Sequence, residues 1–169
     1  LQSLRDFKVD GNDKPIVHGD IKPSNIVFDE VNEQIGLIDW GSSVFAQLDQ
    51  HGQHVGSNVM DLMSGDMNTT NARLGDVYFI GCEQLNGELS SPRFDEQGLA
   101  STLYCLASGQ SSRFGRHVIT PSSLGLPIEL AEVLTAMLSD DPSERRKGGN
   151  YFISNMKYLR NLVFAKDDN

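Results

Sequence analysis

Between Val17 and Asp29 the chain reads VHGDIKPSNIVFD, with His18, Asp20, Lys22 and Asn25 crowded around Pro23 just ahead of a β-branched and aromatic run. Carboxylates, an imidazole, an amine and an amide on one short loop are costly beside an apolar strand unless they meet a ligand or one another. A little further on, QIGLIDWGSS repeats the plan: an apolar run, then Asp39, then Gly41. Two strands that each end in groups able to take a proton, face an anion or hold a cation suggest one site built from both.

The elements that must position these groups are bounded first by composition. A chain of 169 residues suffices for one domain with a real core, and 38% hydrophobic with 22% charged residues is a globular composition. The net charge of −9, with no Lys/Arg-rich run, gives no electrostatic support to binding nucleic acid or an anionic membrane. Two cysteines, Cys82 and Cys105, are too few for a disulfide framework or a Cys-based zinc site, so a reducing, cytoplasmic setting is expected. No apolar run has the length of a membrane span, and no signal peptide opens the chain. It begins at Leu1, inside the helical pattern LQSLRDF, and is expected to be a piece of a longer protein.

Breakers and periodicity then place the elements. Leu1, Leu4 and Phe7 mark the tail of a helix closed by the turn-rich VDGNDKP. Ile26-Val27-Phe28 and Ile35-Gly36-Leu37-Ile38 read as strands of a hairpin joined through DEVNEQ. From Asp39 to about Gly75 the chain is polar and weakly periodic, a length of loop that usually serves function. FDEQGLASTLYCLASG carries Leu99, Leu103, Leu106 and Ala107 at helical spacing and predicts a buried helix ending at Gly109. LPIELAEVLTAMLSDDP predicts an amphipathic helix with Pro127 at its start and Pro142 just beyond its end. A last helix carries Phe152, Met156, Leu159 and Val163 on one stripe. The sum is a mainly helical α+β domain in which a small β-hairpin carries the polar loops.

HGDIKPSN followed by Asp39-Trp40-Gly41 resembles the catalytic half of a eukaryotic-type protein kinase, His-x-Asp-x-Lys-x-x-Asn and then Asp-Phe-Gly. The chemistry explains the residue types. Phosphoryl transfer needs a carboxylate to orient the attacking hydroxyl and accept its proton, a role for Asp20. It needs oxygen ligands for Mg2+, which the Asn25 amide and Asp39 carboxylate can supply. It needs a cation near the transferring group, which Lys22 provides. Gly41 is expected to let the backbone turn sharply after the metal ligand. The co-substrate implied is ATP.

The same acid, amide and second acid also resemble the small-molecule kinases of the aminoglycoside and choline phosphotransferase type, so that core does not decide between them. Later landmarks favour the protein-kinase form. Lys22-Pro23 matches it, and GDVYFIGCE, Gly75 to Glu83, resembles a degraded Gly-Thr-x-x-Tyr-x-Ala-Pro-Glu. DEQGLASTLYCLASG aligns without gaps to the family's Asp-x-Trp-Ser-Leu-Gly helix, and DDPSERR resembles Asp-Pro-x-x-Arg. The resemblance implies a buried ion pair between Glu83 and Arg145, an Asp95 that ties down the catalytic-loop backbone, and a structural place for His18.

The resemblance implies a carboxy-terminal lobe over residues 1–164, with catalytic loop 18–25, activation segment 39–83 and a tail at 165–169. His18 stands near the start of the chain, so the family's Gly-rich loop, strand Lys and partner Glu are not among these residues. The missing amino-terminal lobe is an expected partner beside ATP and a protein substrate. Gly19 replaces the Arg that receives an activation-loop phosphate, Cys82 replaces the Pro before Glu83, and the stretch from Gly109 to Pro127 is short where the family has a substrate-docking helix. Two readings remain open: an ATP-dependent phosphotransferase acting on Ser/Thr, favoured over Tyr by Lys22, and a pseudokinase kept as an interaction module. His51 and His54, with no further ligand spacing, read as a solvated loop, and Met60, Met63 and Met67 as loop packing. Asn68-Thr69-Thr70 is a glycosylation sequon by pattern alone.

Overall fold

The computed structural model describes residues 1–55, 76–110 and 119–165. Met60, Met63 and Met67, the sequon at 68–70, Gly75 and part of the segment between Gly109 and Pro127 lie outside the described residues. Element order is α1 (Gln2–Arg5), β1 (Lys8–Val9), β2 (Asn12–Asp13), β3 (Ile16–Val17), β4 (Ile26–Asp29), β5 (Gln34–Leu37), β6 (Val44–Phe45), α2 (Cys82–Leu85), α3 (Pro92–Ser108), α4 (Ile128–Met137), α5 (Pro142–Ser154) and α6 (Met156–Phe164). Short 3₁₀ turns cover Pro23–Asn25, Trp40–Ser42 and Pro121–Ser123.

Among the described residues the strands form three two-stranded antiparallel ribbons, β1–β2, β3–β6 and β4–β5. The β4–β5 hairpin is in the expected place, with Ile26 opposite Leu37 and Phe28 opposite Ile35. VDGNDKP is more than a turn. Asp10 (φ 50°) and Gly11 (φ 80°) close a tight hairpin between β1 and β2, the left-handed pair that suits a two-residue loop. The β3–β6 ribbon pairs Val17 with Val44 and joins the start of the His18–Asn25 loop to the segment after Asp39.

α3 runs through the middle of the fold. Ser91 caps it by accepting from the Arg93 N–H (3.3 Å), Pro92 takes its first turn, and Gly109 ends it in a left-handed conformation (φ 68°). The buried face differs from the expected leucine stripe. Phe94, Gly98, Ala100, Ser101, Thr102 and Tyr104 are buried, whereas Leu106 is 67% exposed. Small residues win because neighbours come close: a Cβ on Gly98 would stand 2.8 Å from the Ile21 Cβ and 3.0 Å from the Ile21 carbonyl. The loop that carries Ile21 therefore lies directly on the helix. Ala100 and Tyr104 pack with Val133, Leu134, Met137 and Leu138 as the main core, and Phe94 packs with Val17 and Ala46 beneath β3 and β6.

Pro142 stands beyond the end of α4, as expected, and also opens α5, whose N-cap Asp141 accepts from the Ser143 N–H at 2.7 Å. One helix boundary differs from the sequence reading. The final apolar stripe is split at Asn155 (φ −118°, ψ 18°), so Phe152 belongs to α5 while Met156, Leu159 and Val163 belong to α6. α5 approaches α4 at Gly148, where a Cβ would meet the Ala136 Cβ at 2.9 Å.

Candidate active site

The loop after β3 is fixed by its backbone. Asp95 on α3, 3% exposed, accepts from the His18 N–H with Oδ2 (2.8 Å) and from the Gly19 N–H with Oδ1 (2.9 Å). His18 is fully buried. Its Nε2 donates to the Ile38 carbonyl (3.0 Å) and its Nδ1 accepts from the Asp20 N–H (3.2 Å), bonds that belong to the Nε2–H tautomer. The ring also meets Trp40 edge-on, with centroids 4.8 Å apart. His18 thus ties the loop to the end of β5.

Asp20 is 7% exposed and surrounded by donors. Its Oδ2 accepts from Asn25 Nδ2 (3.0 Å) and lies 3.3 Å from Lys22 Nζ, while Oδ1 accepts from the Asp76 N–H (3.2 Å). Lys22 Nζ is also 3.7 Å from the Asp76 carboxylate. The Pro23–Asn25 turn and the register of the hairpin bring the remaining groups together. Asn25 sits immediately before β4, its carbonyl accepts from the Ile38 N–H (2.9 Å), and Asp39 follows directly. Asn25 and Asp39 therefore stand side by side at the open end of one hairpin.

Asn25 and Asp39 carry the oxygens that could hold Mg2+. Both hydrogens of the Asn25 amide are used, on the Asp20 carbonyl (2.9 Å) and Oδ2, which turns its oxygen away from Asp20. The Asp39 carboxylate is exposed. One amide oxygen and one carboxylate is a thin set, and among the described residues no group of three or more His, Cys, Asp or Glu is placed to hold a metal. Such a set fits magnesium, which is commonly held by one or two protein oxygens with phosphates and water completing the shell. His51 and His54 are exposed on their loop.

Gly41 does not act as expected. It lies inside the Trp40–Ser42 turn without a positive φ, and a Cβ there would be 3.4 Å from Asp39 Oδ1, an ordinary contact. The left-handed residue is Asp39 itself (φ 60°, ψ 73°), a conformation that costs a non-glycine residue on the order of 1 kcal/mol and is concentrated at functional sites.

Glu83 and Arg145, far apart in sequence, are ion-paired. Arg145 also donates to the Ser139 carbonyl (2.7 Å), and Gln97 donates to the other Glu83 oxygen (3.2 Å). Beside Glu83, Gln84 is 1% exposed and donates to the Gly19 carbonyl at 2.7 Å. Sequence reasoning misses Gln84 and Asp76. Both act on residues distant in the chain, and neither matches a motif position that announces it.

Burial pushes the Asp95 carboxyl up to about 6, against the two backbone N–H groups and His18, which pull it down. The folded value lies above that of the unfolded chain, so the native state binds this proton more tightly. Its contribution to stability is fully present below about pH 4 and falls by about 3 kcal/mol as pH rises through 6. The carboxyl carbon of Asp95, followed by NMR, is expected to titrate near pH 6, and that part of the pH dependence of urea unfolding is expected to vanish in Asp95→Asn. A midpoint at or below 4 overturns the assignment.

A model of the APH phosphotransferase enzyme family matches residues 3–48. No curated protein sequence matches the chain significantly. Among solved structures, the Cydia pomonella granulovirus kinase PK-1 is similar at 16% identity and TM-score 0.50, over 76% of this chain and 48% of that one. The ROP18 kinase domain, solved with AMP-PNP and sucrose, is similar at 17% identity and TM-score 0.54, over 91% of this chain and 40% of that one. The chain thus spans less than half the length of these two kinases. Its fold is protein kinase-like, a helical lobe with small antiparallel ribbons.

Proposed function

We propose that this chain is the carboxy-terminal lobe of an ATP-dependent phosphotransferase that acts on Ser or Thr of a protein, with an amino-terminal lobe supplied from outside these residues. The observation that carries the reading is the arrangement around Asp20. A nearly buried carboxylate is held by Asn25, Lys22 and the Asp76 N–H at the mouth of a hairpin that presents Asn25 and Asp39 together. Asp20 orients the acceptor hydroxyl and takes its proton, and Lys22 offsets charge beside it. Magnesium, when bound with nucleotide, neutralises phosphate charge, and the Asn25 and Asp39 oxygens would hold it. The hairpin leaves Phe28 (61%) and Ile35 (75%) exposed opposite each other, an apolar pair suited to a covering lobe. Free cysteines, Cys82 exposed and Cys105 half-buried, fit a reducing cytoplasm.

The family match over residues 3–48 favours a second reading, transfer to a small hydroxylated molecule. The test is an assay of the full-length parent with labelled magnesium-ATP, offered a protein substrate and a panel of amino alcohols and aminoglycosides. Label on Ser or Thr supports the first reading, and label on a small molecule supports the second. Nucleotide binding without transfer to either makes the lobe an interaction module. In the same protein Asp39→Ala is expected to abolish magnesium-dependent nucleotide binding by calorimetry; unchanged affinity removes Asp39 from the metal site.

A further inference from the structure

We propose that Gln84 is a positioning residue for the candidate base: it sets the direction of the Asp20 carboxylate by holding the peptide that precedes it. The inference rests on the reading of Asp20 as the proton acceptor. The Gly19–Asp20 peptide is gripped at both ends, its carbonyl by Gln84 Nε2 (2.7 Å) and its N–H by His18 Nδ1 (3.2 Å). Gly19 itself is left-handed (φ 82°), a conformation that glycine enters and leaves without steric penalty. A peptide beside such a glycine can rotate unless both ends are bonded. Rotation would exchange its N–H and C=O, break the His18 bond and swing Asp20 away from Asn25.

The choice of residue points the same way. α2 is a single turn, and Gln84 is the residue it buries. Packing alone would be met by Leu or Met, without the cost of taking an amide out of water, which is recovered only by a well-made bond. Its neighbour Glu83 is anchored to α5 through Arg145 and to α3 through Gln97. The short helix is therefore fixed to the helical scaffold by one residue and reaches the catalytic loop with the next.

The test uses the full-length protein with Gln84→Met, which keeps length and loses the donor, and Gln84→His, which keeps a ring N–H at similar reach. A misplacement of about an ångström can cost on the order of 100-fold in rate. Gln84→Met is therefore expected to lower kcat by about 10- to 100-fold, with the KM for magnesium-ATP within about twofold of the parent, while Gln84→His recovers part of kcat. Amide hydrogen exchange at Asp20 is expected to quicken in Gln84→Met while the core of α3 stays protected. Parental kcat and a slow Asp20 amide in Gln84→Met overturn the inference, as does a loss of kcat in Gln84→His as large as in Gln84→Met. If the unsubstituted protein transfers no phosphate, the reading of Asp20 as a base fails, and the exchange rates alone decide whether Gln84 holds the peptide.

Discussion

Asp20→Asn in the full-length protein is expected to lower phosphotransfer by ~10²–10⁴-fold, the usual contribution of a positioned general base, while magnesium-nucleotide affinity changes little. The substitution preserves shape and removes the basic oxygen. It also places an NH₂ among groups that are all donors: Asn25 Nδ2 and Lys22 Nζ on one side, the Asp76 N–H on the other. Whichever way the amide turns, one donor faces another, so some stability is lost with the base. Rates must therefore be scaled to the folded fraction, and Asp20→Ala, which removes the clash as well as the base, serves as the second variant. Both are expected to be equally inactive per folded molecule. Turnover within about tenfold of the parent in either would remove Asp20 from the chemistry and leave it as a loop-organising residue for Asn25.

What the sequence made legible was local. The hairpin that sets Phe28 opposite Ile35 follows from two short apolar runs and a turn-rich connection, and the polar loops at its open end follow from residue type and spacing. The end of α3 was readable because Gly109 has a conformational preference of its own, whereas its start at Pro92 lies two residues ahead of the apolar segment that begins at Phe94. Long-range couplings were not readable. β3 and β6 are very short and pair across the whole His18–Asn25 loop and hairpin, with no periodicity long enough to detect. Gln84 looks like any surface glutamine until the fold brings Gly19 to it. The glycine of Asp39-Trp40-Gly41 invites the conformational argument, yet the acid takes the left-handed angle. The split at Asn155 was hidden because Phe152, Met156, Leu159 and Val163 keep helical spacing across it. Spacing records which residues would share a face if the helix continued; it does not record whether it does.

The second large effect expected is on stability. Arg145→Met should cost about 3 kcal/mol in urea unfolding, near the low end of the range for breaking a buried pair. The Arg145 and Glu83 side chains are 15% and 24% exposed, so residual water softens the penalty without cancelling it. Without Arg145, the Glu83 carboxylate keeps the bond from Gln97 Nε2 but has lost its counter-charge, and the Ser139 carbonyl loses its donor. Glu83→Gln is expected to cost less, because Arg145 keeps Ser139 and the new amide oxygen can still accept. The double variant should recover part of the sum, since no unpaired charge remains, and the shortfall measures the coupling directly. Because α2 carries both Glu83 and Gln84, loosening the pair should also quicken amide exchange at Asp20, far along the chain from the substitution. A cost below about 1 kcal/mol, as for an exposed ion pair, would mean that α2 is held by other contacts and that the pair does not anchor the loop.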